Sequence, residues 1–290
     1  MYEVEHLLAT GNSLGESPQW NVEEKALYWV DIWAGTIYRF RPERGTYEIF
    51  NTGIPIGALS FRASGGLILA TRDGFAYWDS KGEKLDFIAD TEAGNKQSRF
   101  NDGKVDPQGR FWAGTMIQGS PEAVNSLYRL DPDGTVHTME TGVVLSNGLG
   151  WSPDNKTMYF NDSGKNVIYA YDFDSTTGNI SNRRNFVQLP RGEIIPDGLT
   201  VDSEGYIWCV IFKGYKIIRY DPAGKIDREI RMPTRLTTSC IFGGENMDEL
   251  FITTACGEER EKQAKQAPFD GDLFRIQTDV KGIPEPKFAG

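Results

Sequence analysis

GESPQW at 15–20 is the first of six segments that overlay on one another: IGALSF at 56–61, FNDGKV at 100–105, SNGLGW at 146–151, PDGLTV at 196–201 and TTSCIF at 237–242 follow it. Their last residues, Trp20, Phe61, Val105, Trp151, Val201 and Phe242, lie 41, 44, 46, 50 and 41 residues apart. A repeat of that length built from β-type segments is the pattern of propeller blades. After each of these anchors comes a turn cluster, such as Asp-Pro-Gln-Gly at 106–109 or Asp-Ser-Glu-Gly at 202–205, and then an apolar run such as RFWAGTM or YIWCVIF. Further runs of alternating apolar and polar residues, TIYRFR and SLYRLD among them, fit half-buried strands. No stretch carries a sustained helical period. The expectation is an all-β, six-bladed β-propeller occupying 1–290 as one domain, with the unpaired N-terminal run YEVEHLLAT adding the missing strand to the last blade and so removing exposed sheet edges.

Composition is compatible with that reading. Among 290 residues, 32 Gly and 14 Pro supply turns for many short strands. The formal net charge of −10 argues against a nucleic-acid partner, which requires clustered cations. No apolar run reaches the length of a membrane span, and the N-terminus has no basic segment followed by an apolar one. Three cysteines without CxxC spacing suit a reducing compartment, so a cytoplasmic location is expected. Oligomeric state leaves no mark on the sequence.

Counting back four residues from each anchor yields Glu16, Gly57, Asn101, Asn147, Asp197 and Thr238. Equivalent positions in radially repeated blades share a radius, so these side chains should ring one end of the central channel. Each Asn or Asp alone, standing before Gly or Asp-Gly, reads as a turn residue. Their shared register with Glu16, which is no turn former, favours a site instead. The two histidines, His6 and His137, fall outside the column, which leaves no base for a Ser-His-Asp mechanism and no imidazole ligand for zinc there. What remains is oxygen, from the carboxylates of Glu16 and Asp197 and the amides of Asn101 and Asn147. Ca²⁺, Mg²⁺ and Mn²⁺ favour such donors. Arg99, two residues before Asn101, lies on the same approach.

The blocks GESP at 15–18, YWVDI at 28–32, RFNDGKVDP at 99–107, SNGL at 146–149, PDG at 196–198 and TTSCIFGG at 237–244 resemble those of the SMP-30/gluconolactonase family, in order and over nearly the whole chain. The resemblance implies one divalent cation (Ca²⁺, Zn²⁺, Mn²⁺ or Mg²⁺) held by Glu16, Asn147 and Asp197, with Arg99 and Asn101 binding substrate. It also implies hydrolysis of sugar lactones. One departure is local: where the family pattern carries acidic residues after Ala-Gly-Thr-Met, this chain has Ile117-Gln118-Gly119-Ser120 and a shorter loop to Ser126.

These readings define the expected chemistry. A small-molecule lactone would be polarised at its carbonyl by the cation, held by Arg99 and Asn101, and attacked by water whose proton passes to Asp197 as catalytic base. A phosphotriesterase-like hydrolase, a calcium-binding regulatory protein without turnover and a protein-binding scaffold are the alternatives. Unpaired carboxylates in a narrow channel count against the scaffold.

Overall fold

Each repeated segment forms the innermost strand of a four-stranded antiparallel sheet. The computed structural model describes residues 2–81, 84–257 and 268–290, and among them six such sheets make the blades of a β-propeller. Blade 1 runs outward through Gly15–Asn21, Ala26–Asp31, Thr36–Arg41 and Thr46–Asn51. Blades 2 to 5 repeat the meander from innermost strands Ile56–Phe61, Ser98–Val105, Ser146–Trp151 and Ile195–Val201. Blade 6 is composite. Thr237–Gly243, Glu249–Thr254 and Leu273–Gln277 come from the C-terminal part of the chain, and Val4–Leu8 supplies the outermost strand. Innermost strands of consecutive blades pack side by side, and that of blade 6 packs on that of blade 1, closing the ring.

Burial falls outward. Innermost strands are buried along their whole length, save for Ile195 at the start of that of blade 5, whereas an outermost strand such as Thr46–Asn51 is almost wholly exposed. The apolar residues gather into six clusters, one in each wedge between adjacent blades, and each anchor residue sits in a different cluster. Trp20 stacks on Phe251 between blades 6 and 1, while Trp151 meets Trp112 edge-on between blades 3 and 4. The repeat at the anchor position is thus a packing requirement of the wedge. The residue after the anchor ties down the following turn in four blades, Asn21 by accepting from Glu23 N and Glu24 N, Ser152 from Thr157 N, and an aspartate in the other two. The Asp106 carboxylate accepts from the amides of Gln108 and Arg110 and from Trp112 Nε1. Asp202 does the same with Glu204, Tyr206 and Trp208, and also grips the Arg219 guanidinium at 2.7 Å.

The C-terminal segment crosses the channel at the anchor end. Gly282 N donates to Met247 O in blade 6, and Ser203 N in blade 5 donates to Lys281 O. Glu285 then pairs at 3.0 Å with Lys104, whose ammonium also reaches Leu199 O across the channel. Phe288 inserts, fully buried, into the core between blades 2 and 3.

At the opposite end, the innermost strand of every blade breaks register with its neighbour at one place. The breaks fall between Glu16 and Gln19, Ile56 and Ala58, Phe100 and Asp102, Asn147 and Leu149, Pro196 and Leu199, and Thr237 and Ser239. A β-bulge re-aims the side chains beside it. All six hub positions lie on these bulges. None of Asn101, Asn147 and Asp197 has a positive φ, and all three lie within strands, so the turn reading of these residues does not hold. The neighbouring glycines answer to proximity instead: a Cβ on Gly148 would lie 2.7 Å from Asp197 O, and one on Gly198 would lie 2.1 Å from Ser239 Oγ. No helix among the described residues is long and apolar enough to cross a membrane.

Two stability predictions follow from these contacts. A Cβ on Gly57 would meet Phe100 O at 2.3 Å and Asn101 N at 2.8 Å, both backbone atoms that cannot swing aside. Gly57→Ala should lose about 1–3 kcal/mol of stability, the usual cost of overpacking, read as a lower urea midpoint at unchanged slope.

The second concerns acid. Glu48, on the rim of blade 1, receives two bonds from Arg39 at 2.8 and 2.7 Å and one from Arg41 at 2.6 Å, which hold its carboxyl down to about 2. A depressed folded-state value stabilises above the unfolded value of about 4.3 and is lost as pH falls toward 2. The melting temperature of Glu48→Gln should therefore lie below that of the wild type at pH 7, and the gap should close between about pH 4.3 and 2.

Candidate functional site

The bulges bring four oxygen-bearing side chains and one cation to the open end of the channel. Glu16, Asn101, Asn147 and Asp197 are all buried, as are Thr238 and Arg99. Thr238 turns away from any ligand role: its hydroxyl donates to Gly15 O and meets Thr253 Oγ1 at 2.9 Å, stitching blade 6 to blade 1. Gly57 contributes closeness of approach, as described above.

A chain of hydrogen bonds orients the amides. Arg99 Nη1 donates to Asn101 Oδ1 at 2.7 Å and to Phe100 O at 3.0 Å. Asn101 Nδ2 donates to Asn147 Oδ1 at 2.8 Å and to Ser146 O at 2.7 Å. Asn147 Nδ2 donates at 2.9 Å to Ser163 Oγ, which passes its own proton to Pro196 O. The Ser163 hydroxyl has one proton and spends it on a carbonyl, so it must accept from Asn147. That logic fixes the Asn147 amide with its oxygen on the Asn101 side. Asn161 Nδ2 donates at 2.5 Å to the backbone oxygen of Asp197 and so pins the Asp197 bulge.

The carboxylates are supplied far less well. Glu16 accepts one bond, from Ser17 N at 3.2 Å. No group among the described residues donates to the Asp197 side chain. Burial pushes the Glu16 carboxyl well above the usual carboxylate range, and the nearby charges of Asp197 and Asp102 push it further. Asp197 is likewise raised, by burial and then by Asp102. Asp102, buried with one bond from Gly103 N at 2.7 Å, is pushed up to about 6 by burial. Arg99 partly compensates Glu16 and Lys104 partly compensates Asp102, and burial lowers Arg99 to about 10. Its Nε is buried without a partner, and its guanidinium lies 4.9 Å from the centre of the Trp33 ring. Ser17, next to Glu16, holds a left-handed backbone at φ 49°, an uncommon conformation for a non-glycine residue that collects at functional sites.

Carboxylates gathered in a dry site with almost no donors are costly unless a cation joins them. The donor set fits a hard divalent ion. It has two carboxylates and one amide oxygen already oriented by its neighbours. No group of three or more His, Cys, Asp or Glu suited to a metal exists among the described residues, so an ion at the hub would depend on the Asn147 carbonyl. The histidines are elsewhere: His6 pairs with Asp272 at 2.8 Å in blade 6, and His137 with Asp131 at 3.1 Å on the rim of blade 3.

Three participants escaped sequence reasoning. Asp102 adjoins Asn101, and strict alternation would send its side chain to the other face; the bulge between Phe100 and Asp102 removes that alternation. Ser163 comes from a short 3₁₀ turn outside the repeated segments. Trp33 lies in a turn of blade 1 and is joined to Arg99 only by the fold.

Comparison with known proteins agrees with this architecture. A family profile described as the SMP-30/Gluconolactonase/LRE-like region matches residues 14–256. The chain is 38% identical to regucalcin of Xenopus laevis over 99% of both chains. It is 37% identical to 6-deoxy-6-sulfogluconolactonase of Pseudomonas putida, covering 96% of this chain and 95% of that one. A solved calcium-binding protein, regucalcin from Agrobacterium tumefaciens, superposes with a TM-score of 0.95 at 25% identity over 100% of this chain and 98% of that one. With a profile match over residues 14–256 and a relative 38% identical over 99% of both chains, the chain belongs to the SMP-30/gluconolactonase/LRE-like family.

Proposed function

We propose that the protein is a divalent-cation-dependent lactonase that opens sugar-acid lactones to the corresponding hydroxy acids. The observation that carries this reading is the pairing of two donor-poor buried carboxylates, Glu16 and Asp197, with an amide oxygen on Asn147 and a buried guanidinium on Arg99. Membership of a gluconolactonase family and likeness to a sulfogluconolactonase support a lactone as the substrate class. The calcium-binding neighbour supports a divalent cation.

Glu16, Asn147 and Asp197 would hold the ion. When bound, the cation supplies Lewis-acid stabilisation of the charge that builds on the lactone carbonyl oxygen. The residues of the chain do the rest. Arg99, joined to Asn101 at 2.7 Å, presents the donors that hold the substrate's oxygens, while Asn101, both of whose amide protons are spent on Asn147 and Ser146, positions Arg99 and offers its Oδ1 as acceptor to a substrate hydroxyl. Asp197, whose carboxylate receives no hydrogen bond from the described residues, takes the proton of the attacking water. Water adds to the carbonyl carbon, the ring C–O bond breaks, and the ring oxygen leaves as a hydroxyl carrying that proton. Burial of the hub side chains lowers the local dielectric and strengthens each of these interactions. Calcium storage without turnover would give the buried, partly unpaired Arg99 no task, which favours the enzyme.

Two experiments test the assignments. Chelation should abolish proton release from aldonolactones after spontaneous opening is subtracted, and a divalent ion should restore it while raising the melting temperature. At saturating metal, Asp197→Asn should still lose roughly 10²–10⁴-fold in turnover, the worth of a positioned base, whereas Glu16→Gln should recover much of its activity. Equal rescue of both variants would make Asp197 a ligand only.

Arg99→Ala should keep its metal and lose about 1–3 kcal/mol of transition-state binding, as for one charged hydrogen bond, read as a fall in kcat/KM. Loss of metal content in that variant would show that Arg99 maintains the hub rather than binding substrate.

A further inference from the structure

Of the seven tryptophans in the chain, six are buried in the wedges between blades; the seventh, Trp33, is 43% exposed. A single exposed aromatic needs no explanation by itself, and Trp33 is informative because of where it stands. Trp33 follows strand Ala26–Asp31, in which Val30 and Asp31 pair with Glu16 and Gly15, so its turn lies at the site end of blade 1.

That turn is held firmly. The Asp31 carboxylate accepts from Ser13 N at 2.7 Å and Leu14 N at 3.1 Å, and Ile32 N donates to Leu14 O at 3.0 Å. Ile32 is fully buried, and Gly35 at φ +62° packs so closely on Ile54 O that a Cβ there would lie 2.7 Å away. The indole makes no ring contact with another aromatic among the described residues. It stands against the Arg99 guanidinium, 4.9 Å from the ring centre. The ring therefore borders the guanidinium that bonds Asn101, and it keeps 43% of its surface in solvent. The strand end after Arg99's partner Met116 continues into Ile117-Gln118-Gly119-Ser120, which carries no charge.

A rigid apolar plate next to a guanidinium and an amide suits a ligand with a C–H face and hydroxyls at its edge. We propose that Trp33 is a specificity-determining residue of this site, the platform on which the ring of a sugar-derived lactone lies while Arg99 and Asn101 hold its oxygens. The proposal rests on the lactonase reading for the identity of the ligand, and on the placement of Trp33 over Arg99 for its role. A platform contributes to binding of ground state and transition state alike, so it acts on KM and leaves kcat nearly alone.

The test uses metal-loaded wild type, Trp33→Phe and Trp33→Ala with glucono-δ-lactone, and with gluconate as a ligand that does not turn over. Expected are a KM raised about tenfold in Trp33→Ala and less in Trp33→Phe, with kcat within about twofold and metal content and melting temperature unchanged. Gluconate should quench wild-type indole emission, and Trp33→Phe should lose most of that quench. An unchanged KM in Trp33→Ala, or a loss of metal and stability that accounts for the kinetic change, would overturn the proposal. If wild type opens no aldonolactone, the lactonase reading fails, and the fluorescence titration still decides: quench lost in Trp33→Phe sustains the sugar platform, and no quench in wild type ends it.

Discussion

The β-bulge repeated at one level of every innermost strand is the constraint on which the site depends. Six strands converge on a channel, and backbones approach so closely there that Gly57, Gly148 and Gly198 have no room for a Cβ. A regular strand would alternate its side chains between the two faces of its blade and send few of them toward the axis. Breaking register once in each blade turns Glu16, Asn101, Asn147 and Asp197 toward one another and leaves the rest of the strand to pack its wedge. The same strand thus carries chemistry at one end and a core anchor at the other, four residues apart.

The two ends of the channel have opposite electrostatic treatment. At the anchor end the C-terminal segment runs across from blade 6 to blade 2, and its charge is balanced: Glu285 meets Lys104, and Phe288 fills the core beneath. At the hub end, Glu16, Asp102 and Asp197 are buried with few donors, and their carboxyl groups are raised accordingly. Elsewhere the fold pairs its buried charges, as in Asp106 with Arg110 and Asp202 with Arg219. The contrast within one molecule makes the unbalanced end meaningful: groups held at a cost to stability are the ones a ligand can satisfy.

Orientation is the second contribution of the fold. Asn147 by itself could present either its oxygen or its nitrogen to the channel. Ser163, from a 3₁₀ turn outside the repeat, decides this by giving its only proton to Pro196 O. Arg99 and Asn101 then complete a continuous chain of donors across three blades. Trp33 adds an aromatic face over the guanidinium from a fourth direction, the turn of blade 1.

By itself the sequence determined the number of blades, the position of the innermost strands and the ring of Glu16, Asn101, Asn147 and Asp197. It could do so because a wedge between blades demands a large apolar anchor every 41 to 50 residues, and equal offsets from equal anchors reach equal radii. The role of the Asn-Gly and Asp-Gly pairs was not legible, since a turn and a close strand approach both ask for glycine; only φ values and neighbouring atoms separate them. Asp102 was hidden because period-two reasoning assumes an unbroken strand, and the break lies beside it. Ser163 and Trp33 were hidden because they stand outside the repeat, 16 residues from Asn147 and 66 residues from Arg99, and no local pattern encodes either meeting. Tertiary structure decided which groups are desolvated together, because that depends on how closely separate strands converge and not on the order of residues along any one of them.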